Sequence, residues 1–202
     1  MSFDLKNGVD EMELEIPLHK QEKLINYLDI LVKWNKVFNL TSVQTKQEMI
    51  SRHLLDSLSI MPWCKGERFL DVGTGAGLPG IPLAIAFPDK FFVLIDSNGK
   101  RTRFLHEAVS SLNLTNVMIV NDRVESFQSL NKFDVITSRA YSSLIDLIET
   151  TSHLLARKGF WLAMKGEVEE YEINAACGVN IEKYSLIVPG CKSKRYLFKM
   201  TL

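Results

Sequence analysis

The chain has 202 residues, of which 46% are hydrophobic and 24% are charged. This composition is typical of a globular protein with one full domain and an appendage. Three cysteines without a C-x-x-C pair argue against a disulfide framework and against a zinc site, so we expect no metal. The formal net charge is zero, but the first 30 residues hold three lysines and seven acidic residues, so the remainder carries an excess of basic groups.

The N-terminal sequence lacks the basic flank and apolar core of a secretory signal. The most apolar stretch, Leu78–Phe87, is far shorter than the ~20 residues that a membrane span needs. We therefore expect a cytoplasmic protein with no membrane partner.

Two amphipathic helices are predicted near the N-terminus. Apolar residues recur at helical spacing between about Pro17 and Phe38. A capping-box pattern then begins at Thr45, and a second helix should run from there to about Met61. These helices would form an N-terminal helical extension, residues 1–64.

Residues 65–202 alternate short runs of Val, Ile and Phe with helical patterns. This alternation indicates an α/β protein in which right-handed crossovers join parallel strands and helices cover both faces of the sheet. The last two apolar runs have no helix between them and predict an antiparallel pair, which gives a mostly parallel, seven-stranded, Rossmann-like sheet. The predicted strands are Arg68–Val72, Phe91–Asp96, Val117–Val120, Phe133–Thr137, Phe160–Met164, Tyr184–Val188 and Arg195–Met200, and helices are predicted to start near Pro79, Gly99, Val124 and Ser142.

The stretch from Asp71 to Gly80 follows the first predicted strand and opens a helix, the place where such sheets bind ligands. Its spacing satisfies the G-x-G-x-x-G pattern of dinucleotide sites, but that match alone is weak. The Asp71 carboxylate would repel a pyrophosphate and attract an ammonium group. S-adenosylmethionine carries an ammonium and a sulfonium but no phosphate, so we expect it as the cofactor. The predicted contacts in this turn are Asp71, Gly73, Thr74, Gly75, Gly77 and Leu78.

Two further groups of residues are expected around the cofactor. Asp96 ends the second predicted strand, where an acidic side chain accepts hydrogen bonds from ribose hydroxyls, and Ser97 follows it. Val124 should pack on the adenine ring, with Arg123 beside it and Asp122 or Glu125 near the amino group. For the stretch from Asp122 to Glu125, a simple helix cap is the alternative.

The end of the fourth predicted strand, Thr137–Tyr141, should face the methyl acceptor. It lacks the Pro-Pro-aromatic tetrapeptide of amino-methylating DNA enzymes. No cysteine lies at a strand end, where pyrimidine C5 methylation needs a thiolate. N7 of guanine has a free lone pair, so its methylation requires neither a nucleophile nor a base. The protein needs only to position the acceptor and the methyl donor. Arg139 can make a two-pronged contact with a carboxylate or phosphate, on the cofactor or on the acceptor, unless it forms a surface ion pair.

Other basic residues also suggest contacts with a phosphate backbone. His53 follows Arg52 and is either a cleft residue or a packed helix residue. Lys165 ends the fifth predicted strand. For its side chain, a contact with a phosphate and full solvation are alternatives of equal weight. Two basic clusters point to nucleic acid, although solvated faces give the same pattern. They are Lys100, Arg101 and Arg103, and Lys192, Lys194, Arg195 and Lys199.

With these residues assembled, the chain resembles the bacterial ribosomal RNA small-subunit methyltransferase G family, also called glucose-inhibited division protein B. The match covers nearly the whole chain, and several motifs are specific to the family. Two positions depart from it, because Ala76 replaces a common proline and Asp122 replaces small residues. The motifs are Trp34-Asn35-Lys36, Asn39-Leu40-Thr41-Ser42, Arg52-His53 with Asp56-Ser57, Asp71–Gly75 with Gly77–Gly80, Asp96-Ser97 with Lys100-Arg101, Arg123-Val124-Glu125, Ser138-Arg139-Ala140, Lys165-Gly166 and Arg195.

The resemblance implies a class I S-adenosylmethionine-dependent methyltransferase that methylates N7 of one guanine in 16S ribosomal RNA, in a loop near the decoding centre. It implies cofactor contacts at Gly73, Leu78, Val124, Glu125 and Arg139. It points less directly to RNA or catalytic roles for Asn39, His53, Lys100, Lys165 and Arg195. The predicted catalytic residues are thus Asn39, His53, Arg139 and Lys165, and the predicted RNA contacts are Arg52, Lys100, Arg101, Arg103, Lys165, Lys194 and Arg195.

We expect a monomer that binds 16S ribosomal RNA or the small ribosomal subunit. Three other functions stay open from the sequence: an NAD-linked oxidoreductase, a small-molecule methyltransferase, and a non-catalytic ribosome-binding module. An oxidoreductase would need a proton-transfer group near the fourth strand, and the sequence shows none there.

Overall fold

A computed structural model describes residues 4–139, 141, 143–168 and 178–202. The strands are β1 (Arg68–Val72), β2 (Phe91–Ile95), β3 (Val117–Val120), β4 (Phe133–Arg139), β5 (Leu155–Lys165), β6 (Asn180–Leu186) and β7 (Arg195–Thr201). They form one sheet in the order β3-β2-β1-β4-β5-β7-β6. β7 runs antiparallel to both of its neighbours, whereas the other pairs are parallel. The predicted mostly parallel, seven-stranded sheet is therefore confirmed.

The helices in the described part of the chain lie on both sides of this sheet. They are α1 (Leu5–Glu11), α2 (Leu18–Phe38), α3 (Lys46–Met49), α4 (Asp56–Leu58), α5 (Gly80–Ala86), α6 (Gly99–Ser111) and α7 (Leu144–Thr151). A π-helical segment, Ile50–Leu55, joins α3 to α4. None of these helices combines the length and the apolarity that crossing a bilayer requires.

Local sequence explains where several helices begin. The Thr45 hydroxyl accepts a hydrogen bond from the Glu48 N–H at 3.2 Å and caps α3. Asn98 caps α6 in the same way through the N–H of Lys100, at 2.9 Å. Ser143 forms a full capping box at the start of α7. Each cap satisfies backbone donors that have no partner inside the helix.

The two faces of the sheet are buried by different helices. On one face, the apolar stripe of α2, including the fully buried Leu28, shares a core with Phe69 of β1 and Phe104 of α6. On the other face, Leu147 of α7 packs in a second core with Trp161 of β5. The N-terminal helices therefore bury part of the sheet, while the division of the chain at residue 64 stays a prediction.

Helix α2 runs from the N-terminal edge of the sheet toward its C-terminal edge. Near its start, the Lys20 ammonium donates to the carbonyl of Ala86, at the end of α5, at 2.7 Å. Further along, the Tyr27 hydroxyl donates to the carbonyl of Ala76 at 2.6 Å. Ala76 lies in the glycine turn, residues 73–79, which joins β1 to α5. The end of α2 thus lies at the edge where the strands end and where ligands bind in such sheets.

Several predicted elements differ from the observed ones. The second predicted helix ends at Leu58 and not near Met61, and the Ser59 hydroxyl donates to the Asp56 carbonyl that the helix leaves free, at 2.6 Å. The prediction of a helix near Val124 is wrong, because only a hydrogen-bonded turn forms there. β6 starts earlier than predicted, at Asn180, because its first residues pair with the end of β7 although they include Asn180, Glu182 and Lys183, which break the apolar run. The predicted helix start Ser142, the motif residue Ala140 and Cys177 lie outside the described residues.

Candidate cofactor and substrate site

The turn between β1 and α5 is held by one buried carboxylate. Asp71 Oδ2 accepts hydrogen bonds from the Thr74 hydroxyl at 2.5 Å and from the Gly80 N–H at 3.0 Å. Its Oδ1 accepts a hydrogen bond from the Thr137 hydroxyl of β4 at 3.1 Å. Gly73, Gly75 and Gly77 all have positive φ angles, which the chain needs to fold around this carboxylate.

Asp71 is buried within the protein. Its side chain is 1% exposed, and burial raises its pKa from the ordinary 3.8 to about 6, although the hydrogen bonds from Thr74, Gly80 and Thr137 oppose this rise. Asp71 fixes the shape of the glycine turn. The role of Asp71 as a cofactor contact stays a prediction.

Asp71 should make the stability of the protein depend on pH. Its folded-state pKa lies above the unfolded-state value, so the folded protein binds the extra proton between about pH 4 and pH 6. We expect this group to lower the free energy of unfolding by about 3 kcal/mol as the pH rises through that window. Asp71→Asn keeps an acceptor for Thr74 and Gly80 but does not titrate, so urea unfolding should show a weaker pH dependence. Equal pH dependence in both proteins would contradict this assignment.

A cavity of about 240 Å³ lies beside this turn, at the C-terminal edge of β1 and β2. We call it the first cavity. It brings together residues from the ends of β1 and β2, the start of α6, the loop after β3 and a position just after β4. They are Val72, Gly73, Ile95, Asp96, Ser97, Arg101, Asp122, Arg123, Val124, Glu125 and Tyr141.

Asp96 is the acidic residue that the fold fixes most firmly in the first cavity. Its Oδ2 accepts hydrogen bonds from the Gly75 N–H at 2.9 Å and from Arg101 at 3.2 Å. Its Oδ1 accepts one protein hydrogen bond, from the Asn98 N–H at 2.9 Å. Each carboxylate oxygen has two lone pairs, so Oδ1 retains acceptor capacity for a ligand hydroxyl.

The polar groups around the first cavity suit a cationic ligand better than a pyrophosphate. A pyrophosphate site needs free N–H groups in the glycine turn, but five of these amides donate to the protein itself. They belong to Thr74, Gly75, Gly77, Leu78 and Gly80. The lining also holds three carboxylates, Asp96, Asp122 and Glu125, against two arginines, Arg101 and Arg123. A dinucleotide is therefore disfavoured on both hydrogen bonding and charge.

A second cavity, of about 370 Å³, lies at the same edge of the sheet, beside the last residue of β4 and the first residue of β7. Arg139, at the end of β4, lines this second cavity, and Tyr141, two residues further along the chain, lines the first. The lining combines the loop after α2, the π-helical segment and the loop before β7. Its residues are Thr41, Ser42, Val43, Arg52, His53, Asp56, Arg139, Cys191, Ser193 and Arg195.

Asp56 joins three separate parts of the chain in the second cavity. Its two oxygens accept a bidentate contact from Arg195, at 2.7 Å and 2.9 Å. The same carboxylate accepts a hydrogen bond from Arg139 at 3.3 Å, while Arg139 also donates to the Arg52 carbonyl at 3.0 Å. The Asp56 side chain is 3% exposed, so this pairing is shielded from solvent.

His53 is held neutral in the wall of the second cavity. Its Nε2 lies 2.8 Å from the Thr41 hydroxyl, and its Nδ1 has no hydrogen-bond partner in the described structure. Burial, followed by the positive charge of Arg139, lowers the pKa of His53 to about 4. The ring is therefore uncharged near neutral pH and adds no positive charge to the cavity.

The structure assembles about half of the predicted site residues around the two cavities. Asn39 ends α2 in a left-handed conformation, and Lys165 ends β5 beside Tyr196. Lys194 pairs with Glu167 at 3.3 Å. Arg101, predicted to contact RNA, instead pairs with Asp96 in the first cavity. The predicted residues that are not among the described lining of either cavity are Asn39, Asp71, Thr74, Gly75, Gly77, Leu78, Lys100, Arg103, Lys165 and Lys194.

Among the lining residues that were not predicted as site residues, Asp56 and Thr41 make the polar contacts that hold the second cavity together. Asp56 carries a signal in the sequence, because it is a charged residue between the apolar residues Leu55 and Leu58 of one helix. Buried charges are almost always paired, so its position predicts a basic partner elsewhere in the chain. The described residues contain no group of His, Cys, Asp and Glu that is arranged to hold a metal ion.

Solved structures of other methyltransferases share the fold. A SAM-dependent methyltransferase from Aquifex aeolicus aligns with a TM-score of 0.64 at 16% identity, over 81% of this chain and 97% of that chain. M. jannaschii TYW2, solved in complex with AdoMet, aligns with a TM-score of 0.56 at 16% identity, over 74% and 75%. At these identities the likeness shows the fold alone.

The sequence matches the family model described as rRNA small subunit methyltransferase G over residues 20–197. A protein named ribosomal RNA small subunit methyltransferase G from Pseudomonas aeruginosa PAO1 is 48% identical over 197 residues, which cover 96% of this chain and 92% of that protein. A protein of the same name from Coxiella burnetii Dugway 5J108-111 is 46% identical over 200 residues, with 99% and 98% covered. The chain therefore belongs to the rRNA small subunit methyltransferase G family.

Proposed function

We propose that this chain transfers a methyl group from S-adenosylmethionine to N7 of a guanine in 16S ribosomal RNA, in a loop near the decoding centre. The family match supports the reaction class and the substrate. The observation that carries the proposal is a pair of cavities at the same edge of the sheet, an acidic one lined by Tyr141 and a basic one lined by Arg139, two residues away in the chain. The first would hold the cofactor, and the second would hold the target nucleotide.

The residues of the first cavity fit S-adenosylmethionine. Oδ1 of Asp96 has the acceptor capacity for a ribose hydroxyl, and the buried Val124 offers an apolar surface for the adenine ring. Gly73 keeps the turn open, because a Cβ at this position would lie 3.3 Å from the ring of Tyr141. When bound, S-adenosylmethionine supplies a methyl group activated by its sulfonium.

The second cavity fits a nucleotide. Its lining holds three arginines, Arg52, Arg139 and Arg195, against the single carboxylate Asp56, so it attracts a phosphate. N7 of guanine has a lone pair and no proton to lose, so the reaction requires no general base. The neutral His53 fits this requirement, since it can orient a substrate by hydrogen bonding without adding charge. We further propose that Asp56 sets the direction of Arg139 and Arg195.

The same proposal covers the wider setting of the protein. We propose that it acts as a monomer in the cytoplasm, where its ribosomal substrate is made, and that residues 1–64 serve as an extension of the methyltransferase domain. An NAD-linked oxidoreductase is disfavoured, because the amides of the glycine turn are already used. The basic second cavity favours an RNA substrate over a small neutral molecule.

The direct test is methyl transfer to RNA that lacks the modification. Purified protein should move label from methyl-labelled S-adenosylmethionine to 16S ribosomal RNA, and strand scission at N7-methylguanine should map the label to one guanine. Naked RNA, assembly intermediates and complete small subunits should be tried in parallel. Tight binding of S-adenosylmethionine with no transfer to any of them would refute the proposal.

Asp96 should control cofactor affinity. Asp96→Asn keeps the size of the side chain but removes the charge, and we expect it to weaken S-adenosylmethionine binding about tenfold to a hundredfold, because hydrogen bonds to charged groups are the stronger ones. Calorimetry measures the change. The matched control is Asp89→Asn, an exposed carboxylate between α5 and β2, which should leave the affinity unchanged. An unaltered affinity in Asp96→Asn would remove this residue from the ribose site.

A further inference from the structure

The C-terminal end of α2 carries a pair of stacked aromatic rings that the proposed function does not use. The rings of Trp34 and Phe38 lie 5.1 Å apart, with an interplanar angle of 28°. Trp34 also meets Phe104 of α6 edge-on, with ring centroids 5.9 Å apart, so α6 supports the stacked pair. Phe38 itself is 36% exposed. We call Trp34 and Phe38 the aromatic rim.

The aromatic rim lies at the edge of the molecule where both cavities open. α2 passes the glycine turn at Tyr27 and continues beyond it, as the Tyr27–Ala76 hydrogen bond shows. At the end of α2, the Asn35 side chain accepts a hydrogen bond from the N–H of Thr41 at 2.8 Å, and Thr41 lines the second cavity. Phe38 precedes Thr41 by three residues, so their Cα atoms are at most ~11 Å apart.

Exposed positive charges lie on α2 and α6, the two helices that carry the aromatic rim and its support, Phe104. Lys33 of α2 and Lys100 and Arg103 of α6 are exposed, and none has an ion-pair partner among the described residues. Lys100 precedes Phe104 by four residues on the same face of α6. Its side chain therefore leaves α6 on the side that faces Trp34, one turn nearer the cavities.

We propose that the aromatic rim stacks an unpaired RNA base that flanks the target guanine, while Lys33, Lys100 and Arg103 contact the adjoining phosphates. This proposal rests on the proposed function and adds a second contact to it. Proteins read single-stranded RNA by stacking splayed bases on aromatic side chains inside a positively charged groove. An exposed ring on an aromatic support, close to the second cavity and carried by helices with exposed cations, has these features.

The test compares stacking with charge on the full-length protein and unmethylated 16S ribosomal RNA. Phe38→Ala should weaken RNA binding about tenfold and leave the salt dependence unchanged, because no charge is removed. Phe38→Tyr keeps a ring and should bind within about twofold of the parent. Lys100→Gln should lower the slope of affinity against salt by about one. Val37→Ala, at a neighbouring exposed position, is the matched control and should bind RNA as the parent does.

Two measurements separate this proposal from a folding defect and from a failure of the proposed function. S-adenosylmethionine affinity should be the same in all variants. Thermal midpoints should be unchanged except in Phe38→Ala, which loses a stacked ring and should melt about 2–4 °C lower. If the parent methylates RNA and Phe38→Ala binds RNA equally well, the stacking proposal alone is overturned. If Phe38→Ala loses activity only on assembled subunits while binding naked RNA normally, the aromatic rim contacts a protein, which also overturns it. If the parent neither binds nor methylates RNA, both proposals fall.

Discussion

Replacing Asp56 with asparagine is expected to slow methyl transfer about a hundredfold while S-adenosylmethionine affinity stays close to that of the parent. The asparagine keeps the shape of the side chain but loses the charge that directs Arg139 and Arg195. A small misplacement of a substrate-positioning group is enough for a loss of this size. Single-turnover rates with saturating cofactor measure the effect on transfer, and calorimetry measures the cofactor affinity.

Asp56→Ala should also destabilise the protein. Removing one partner of a buried ion pair costs about 3–5 kcal/mol, and the partial exposure of the two arginine side chains, 18% and 20%, reduces this to about 2–4 kcal/mol. The expected fall in melting temperature is about 5–10 °C. Asp29→Asn is the matched control, because Asp29 forms an exposed ion pair with Lys46 and should change neither stability nor rate.

The double variant Asp56→Asn with Arg195→Gln distinguishes positioning from general damage. If Asp56 acts through Arg195, the double variant should be hardly slower than the slower single variant. Effects that simply multiply would show that the two residues act independently. An Asp56→Asn protein with the parental transfer rate would rule out the positioning role.

Gly80→Ala is expected to lower the free energy of unfolding by about 2–4 kcal/mol, through overpacking at the start of α5. A Cβ at this position would lie 2.2 Å from Leu94 Cδ2 and 2.8 Å from Asp71 Oδ2. Leu94 is fully buried in β2 and has no space to move. The start of α5 must therefore shift and break the hydrogen bond from Gly80 to Asp71. Denaturant unfolding measures the loss.

Two other glycines isolate the cause of this loss. Gly75→Ala introduces a side chain at φ +61°, but its nearest contact would be 3.9 Å away, so it should cost only about 1–2 kcal/mol of backbone strain. Gly166→Ala meets no atom of the described residues within 4 Å and should be nearly neutral. If Gly80→Ala proved no more harmful than Gly75→Ala, crowding against Leu94 would not be the reason that glycine is required there.

The first cavity could largely be predicted from the sequence, because local rules specify it. The strand that ends at Val72, the glycines after it and the acidic Asp96 at the end of the next strand are all read from short stretches of sequence. Parallel strands then bring their carboxyl ends to one edge without further information. The direction of the Asp71 side chain could not be read in this way, since its hydrogen-bond partners include Thr137 on a distant strand.

The second cavity was harder to predict, because its contacts join distant parts of the chain. The π-helical segment that carries His53 has the same apolar stripe as an ordinary helix, so periodicity does not reveal it. The Asp56–Arg195 pair spans 139 residues. Sequence showed both residues as motif members of a family, but not that they bind each other.

β7, the last strand in the chain, inserts between β5 and β6 and brings Arg195 to Asp56. During synthesis, the glycine turn and the strands around it are made long before residue 195 is added. Every described residue that lines the first cavity precedes residue 142, so that lining is complete in sequence before β5 begins. The lining of the second cavity is complete only when Arg195 has been added.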